Sequence, residues 1–94
     1  MKASAKEFTN LLKVSTFTNK PETNRAKIND RQIIVTCYPN KKYPFHVRLI
    51  EGEIFKIAIF EKEEVMNLKK IWNDFVAGKS ADELLLYRYT DLNH

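Results

Sequence analysis

The sequence predicts an α+β fold, with an N-terminal helix, a three-stranded antiparallel meander, and a C-terminal helix or helices packed on one face. Residues 45–60 are rich in apolar side chains on both sides of Glu51-Gly52, and residues 45–49 alternate apolar with polar. This pattern is typical of a β-hairpin. Residues 63–77 have apolar side chains at helical spacing and end before Gly78, which suits the left-handed position after a helix. A chain of 94 residues has room for a single core, so residues 1–94 are predicted to form one domain.

Two further segments carry helix-start signals. Ser4 and Glu7 fit a capping box, and the apolar residues that follow predict a helix over residues 5–14. Ser80 and Glu83 fit a second capping box at the start of residues 81–89. The cap favours a helix there, whereas the run Leu-Tyr-Arg-Tyr-Thr over residues 86–90 also suits an added strand. Both alternatives stay open at this point.

Strands are predicted over residues 31–38, 45–51 and 53–60, joined by short loops rich in turn residues. Short connections between neighbouring strands predict an antiparallel meander in chain order. Residues 16–29 are polar, contain Pro21 and several asparagines, and are predicted to be mostly loop. A fourth edge strand near Arg25–Ile28 is the alternative.

The alternation of apolar residues predicts which side chains form the core. In the hairpin we expect Phe45, Val47 and Leu49 to share the buried face with the odd-numbered residues of the following strand. The predicted core is Ile33, Val35, Phe45, Val47, Leu49, Phe55, Ile57, Ile59, Leu68, Trp72 and Phe75. On the opposite face the same reasoning places Ile34, Ile50, Ile54, Ala58 and Phe60 beside His46, Arg48 and Lys56.

The net charge of +4 is unevenly distributed along the chain. Residues 13–48 contain eight basic and two acidic residues, a local charge of +6, whereas residues 49–94 contain six basic and nine acidic residues, a charge of −3. The basic half favours a polyanionic partner. A solvated lysine-rich surface explains the same excess equally well.

Residue types that carry catalysis or cofactor binding are sparse. Two glycines are too few for a glycine-rich phosphate loop. His46 and His94 lack His or Cys partners at metal-ligand spacing, and Cys37 follows an apolar strand pattern, as a buried thiol does. The sequence therefore predicts a protein that is not an enzyme, with no catalytic, cofactor or metal site. An N-terminus without an apolar signal region, and no membrane-length apolar run, predict a cytoplasmic protein.

One cluster of residues suits binding instead. Aromatic and basic side chains are concentrated on a strand end, the following loop and one strand face, and cross-strand neighbours of such a face lie about 5 Å apart. Cations that hold phosphates and rings that stack on bases are what single-stranded nucleic acid binding requires. The predicted nucleic-acid or partner-binding residues are Tyr38, Lys41, Lys42, Tyr43, His46, Arg48 and Lys56. The alternative is that the tyrosines pack a loop while the lysines keep an edge soluble.

Two functions follow as hypotheses. The first is a non-enzymatic protein-interaction module, either a homodimer or a small regulator or inhibitor of the phage or mobile-element type that docks on a larger protein or nucleoprotein complex. The apolar residues on both faces of the hairpin and the apolar C-terminal segment favour it. The alternative is a single-stranded nucleic-acid-binding module that uses the basic and aromatic cluster. Neither hypothesis requires a small-molecule substrate or a membrane.

Overall fold

Four antiparallel strands form one sheet in the order β1-β2-β3-β4, and helices cover one side of it. The computed structural model describes residues 5–84. The α+β architecture predicted from the sequence is confirmed. No helix within residues 5–84 is long and apolar enough to span a membrane. The elements in chain order are α1 (Ala5–Thr18), β1 (Glu22–Ile28), β2 (Arg31–Cys37), β3 (Phe45–Glu51), β4 (Ile54–Phe60), a 3₁₀ turn (Lys62–Glu64), α2 (Val65–Val76) and α3 (Ala81–Leu84).

The first helix, α1, extends one turn beyond the prediction and ends at Thr18. Asn19 adopts a left-handed φ of 56°, and the Lys20 amide donates to the Ser15 carbonyl oxygen at 3.3 Å. This bond from the second residue after the helix back to its last turn is the Schellman arrangement. The buried Ser15 hydroxyl lies within hydrogen-bond reach of the Lys20 and Cys37 carbonyl oxygens and so ties the helix end to β2.

The prediction that residues 16–29 are mostly loop is wrong, whereas the alternative of a fourth edge strand near Arg25–Ile28 is confirmed. β1 occupies Glu22–Ile28 and pairs with β2 along its whole length. Its sequence is polar because it is an edge strand, whose outward side chains are exposed and whose inward ones are only partly buried. Asn29 supplies the left-handed residue, with φ 57°, of the two-residue turn into β2.

The prediction that the odd-numbered residues of β4 lie on the buried face is also wrong. Glu51 pairs with Ile54 across a two-residue turn in which Gly52 has a φ of 59°, so odd-numbered residues of β3 face even-numbered residues of β4. Val47 therefore lies opposite Ala58. Ala58 and Phe60 are buried, whereas Phe55 is 51% exposed.

The core lies between the sheet and the helices. Eight of the eleven predicted core residues are confirmed as buried: Ile33, Val35, Phe45, Val47, Leu49, Leu68, Trp72 and Phe75. The three predicted core residues of β4, Phe55, Ile57 and Ile59, lie on the opposite face. The Phe8 and Trp72 rings meet edge to face at 5.5 Å between centroids, which joins α1 to α2.

The C-terminal helices begin and end largely as the sequence indicates. The predicted helix over residues 63–77 consists of the 3₁₀ turn followed by α2, and Gly78 stands after it with φ 110°. Of the segment 81–89, Ala81–Leu84 is helical, and residues 85–89 lie outside the described part of the chain. The Ser80 hydroxyl donates to Glu83 Oε1 at 3.1 Å at the start of α3, whereas the predicted box at Ser4 lies outside the described residues.

An ion pair on the helix-covered side joins the sheet to the ends of two helices. Arg31 and Glu51 are cross-strand partners, with Arg31 Nε 3.4 Å from Glu51 Oε2. The Arg31 guanidinium donates to the carbonyl oxygens of Phe75, in the last turn of α2, and of Lys79, between α2 and α3. It lies 4.3 Å from the centroid of the Phe75 ring. Glu51 Oε1 accepts a hydrogen bond from the Ala81 amide at the start of α3. One pair of side chains thus satisfies backbone groups at two helix termini.

Candidate binding face

The sheet face away from the helices is the candidate site, and we call it the open face. It is formed by alternate residues of all four strands, three from each. Across the sheet these residues form three rows: Thr23, Thr36, His46 and Ile59; Arg25, Ile34, Arg48 and Ile57; and Lys27, Gln32, Ile50 and Phe55.

Positive charge and apolar surface occupy different parts of the open face. Arg25 and Lys27 stand exposed on β1 at one edge, and Arg48 lies on β3. Phe55, Ile57 and Ile59 line β4 at the other edge. No acidic residue occupies any of the twelve strand positions of the open face. The described strands carry their acidic residues, Glu22 and Glu51, on the helix-covered side, so the open face has an uncompensated positive charge.

The centre of the open face is well packed despite facing away from the helices. Ile34 and Thr36 on β2 are only 8% and 6% exposed. Ile34 lies between Arg25 and Arg48, whose long aliphatic stems cover neighbouring apolar surface while their charges stay in water. The Thr23 and Thr36 hydroxyl oxygens lie 3.1 Å apart. The centre of the open face therefore has arginine side chains on both sides of a buried isoleucine.

An aromatic pair closes one end of the face. Tyr38, just beyond β2, meets His46 edge to face, with 4.5 Å between ring centroids. Burial lowers the pKa of His46 below its ordinary value, and the nearby charges of Arg48 and Lys41 act in the same direction. A hydrogen bond with the Tyr43 backbone opposes them. His46 is therefore uncharged at neutral pH, which leaves its ring available as an uncharged stacking surface.

Six of the seven predicted site residues are placed on the open face or in the loop beside it. Tyr38, His46 and Arg48 lie together, and the loop before β3 carries Lys41, Lys42 and Tyr43. The Lys42 ammonium lies 5.4 Å from the centroid of the Tyr43 ring. The expectation that Lys56 joins this patch is wrong.

The predicted position of Lys56 is wrong for the same reason as the predicted burial of Phe55, Ile57 and Ile59. It pairs with Leu49 on the helix-covered side, because the two-residue turn shifts β4 by one position relative to the expected alignment.

The sequence reasoning missed several residues of the face. Arg25 and Lys27 were left out of the predicted site because a loop was preferred there to the alternative edge strand. The alternation of Thr23, Arg25 and Lys27 with smaller or apolar residues, followed by Asn29-Asp30, is a hairpin signal that favours the strand. Phe55, Ile57 and Ile59 were assigned to the core. Counting two turn residues between paired positions would have placed them correctly.

Other chemistry finds little support in the described part of the chain. Residues 5–84 contain no group of three or more His, Cys, Asp or Glu side chains suited to a metal ion. Cys37 is fully buried, and burial raises the pKa of its thiol, with the Ser15 hydroxyl acting in the opposite direction. A thiol of this kind is a poor nucleophile at neutral pH.

Comparison with protein-family models, with curated proteins and with solved structures finds no match for this chain. We therefore base the proposed function on the residues of the open face.

Proposed function

We propose that the protein is a non-enzymatic binding module whose open face binds single-stranded nucleic acid. The observation that carries the proposal is the acid-free strand surface with Arg25, Lys27 and Arg48 arranged beside aromatic and apolar side chains. Cations at these positions suit phosphates. The rings of Tyr38, His46 and Phe55 suit bases, since stacking of a base on an aromatic side chain contributes about 1–3 kcal/mol.

The shape of the sheet favours a single strand over a duplex. Four strands about 4.8 Å apart span about 14 Å between the outer strands. The major groove of a duplex is about 12 Å wide, and it admits a helix or a two-stranded ribbon. A sheet face of this width cannot enter it. Unpaired bases, in contrast, can lie flat against the apolar part of the face.

The test is a fluorescence-anisotropy titration of a labelled oligothymidylate and of a duplex at several salt concentrations. Three phosphate contacts predict a log–log slope near −2, from about −0.7 per contact. The variant Arg25→Gln/Arg48→Gln should weaken single-strand binding about tenfold and bring the slope toward −0.7.

The matched control is Lys6→Gln/Lys20→Gln, which removes the same charge from exposed positions on and just after α1. It should leave the slope unchanged. Absence of binding at about 50 mM salt, or an equal loss in the control, contradicts the proposal.

A second candidate function is protein interaction through β4, the strand with the exposed apolar side chains. β4 pairs with β3 and lies at one edge of the four described strands. Phe55 is half exposed on this strand, and Ile57 and Ile59 lie beside it on the open face. Partly exposed apolar side chains grouped on one strand form a surface on which another protein can pack. We infer that the simplest such partner is a second copy, and a regulator or inhibitor docking on a larger complex would use the same strand.

Sedimentation equilibrium tests this candidate without any ligand. Self-association through β4 predicts a concentration-dependent increase in mass that Ile57→Glu abolishes. Arg25→Glu, on the opposite edge strand, is the control and should leave the mass unchanged. A monomer at every concentration examined, or an equal effect of both variants, excludes the homodimer.

A further inference from the structure

A groove beside α1 has features of a second binding site. It lies between the outer surface of α1 and the loop that joins β2 to β3, and its volume is about 630 Å³. Apolar pockets that hold small ligands typically measure about 300–1,000 Å³. Leu12 and the buried Pro44 contribute apolar surface, and Thr9 and Thr16 flank them on α1.

The groove is built by a specific contact between two loop ends. Asn19, after α1, and Asn40, in the β2–β3 loop, both adopt left-handed φ values, of 56° and 64°. The Asn40 side-chain amide donates to Asn19 Oδ1 at 3.0 Å. This bond links the β2–β3 loop to the end of α1, the two elements that form the walls of the groove.

The charge of the groove is of one sign. Lys13, Lys41 and Lys62 are the charged residues that line it, all three are exposed, and no acidic side chain lines it. Within residues 5–84 none of these lysines forms an ion pair. Phe17, which also lines the groove, is 91% exposed, so a large apolar ring there has no protein covering it among the described residues.

We propose that this groove binds a small amphiphilic carboxylate, a ligand with an apolar body and a single anionic head. The apolar body would lie along Leu12 and Pro44 and against the Phe17 ring. The carboxylate would be held by the lysines. The α1 residues that line the groove, from Thr9 to Phe17, cover about 12 Å of helix, which suits an alkyl chain of medium length. The site is separate from the open face, although Lys41 lies close enough to His46 to affect its pKa.

The probe is 11-(dansylamino)undecanoate, whose fluorescence rises when its apolar part leaves water. We expect saturable binding that decanoate displaces at a lower concentration than decanol, which has the same chain length but lacks the charge. The variant Lys13→Gln/Lys62→Gln should weaken binding about tenfold, since it removes two of the three lysines that would hold the carboxylate. Thr16→Trp should weaken binding by filling the groove from an exposed helix position.

The variant Arg25→Gln/Arg48→Gln is the control, because it changes the open face and leaves the groove intact. It should bind the probe as the unchanged protein does. Non-saturable fluorescence, displacement by decanol as effective as by decanoate, or unchanged affinity in both groove variants overturns the proposal. Since the open-face variants test the nucleic-acid proposal separately, either proposal can fail without the other.

Discussion

The two faces of the sheet are built from alternate residues of the same strands, yet they meet different physical demands. On the helix-covered face, Phe45, Val47 and Leu49 are fully buried beside Ala58 and Phe60. On the open face, the next residues along each strand combine cations with partly exposed apolar side chains. The covered face is selected for close packing, since an interior loses stability with each missing methylene. The open face has exposed apolar and charged side chains that contribute little to packing. This difference is the reason why we propose that it binds a partner.

The largest expected effect compares two phenylalanines of β4. Phe60→Ala should lower the free energy of unfolding by about 3–5 kcal/mol, because it removes a fully buried ring from the covered face. Phe55→Ala, five residues earlier on the open face, should cost less than about 1 kcal/mol because its ring is half exposed. Urea denaturation of both variants measures the difference. Equal losses would show that the open face is packed as tightly as the covered one.

An intermediate effect compares two arginines. Arg31→Met should lower the free energy of unfolding by about 2–3 kcal/mol, because Arg31 bonds the end of α2 and pairs with Glu51 while largely buried. Arg25→Met removes the same charge from an exposed position on the neighbouring strand and should change it by less than about 0.5 kcal/mol. Thermal and urea unfolding of the two variants provide the measurement. A neutral Arg31→Met would mean that the helix ends find other partners.

The smallest expected effect is the pH dependence due to His46. Because its pKa is lowered in the folded protein, the unfolded chain binds a proton more readily. Above the ordinary histidine pKa of about 6.5, His46 does not reduce the stability of the protein. As the pH falls from there through the pKa of His46 in the folded protein, the unfolded chain takes up the proton first and stability is lost. Unfolding free energies at pH 7.5 and 5 should therefore differ more for the unchanged protein than for His46→Gln. An identical difference in the two proteins would show that His46 is not the titrating group.

Part of the candidate site was predictable because it depends on local pattern. His46 and Arg48 share one face by simple alternation along β3, and Tyr38 lies near them because it directly follows the neighbouring strand β2. Arg25 and Lys27 were not, because the polar edge strand that carries them lacks the apolar run by which strands are recognised. The apolar residues of β4 were assigned to the wrong face because a one-residue change in alignment moves every side chain to the other side.

The sequence by itself determined the class of fold, the positions of α2, β2, β3 and β4, and most of the core. These depend on helical and alternating periodicity, on capping residues and on Gly78, which are local properties. At β1 the sequence left a loop and an edge strand as alternatives, and the tertiary structure decided for the strand, since its backbone needs β2 as a hydrogen-bonding partner. It also decided which side of β4 is buried, because β4 is apolar on both sides and only its alignment with β3 and the packing of the helices distinguish them.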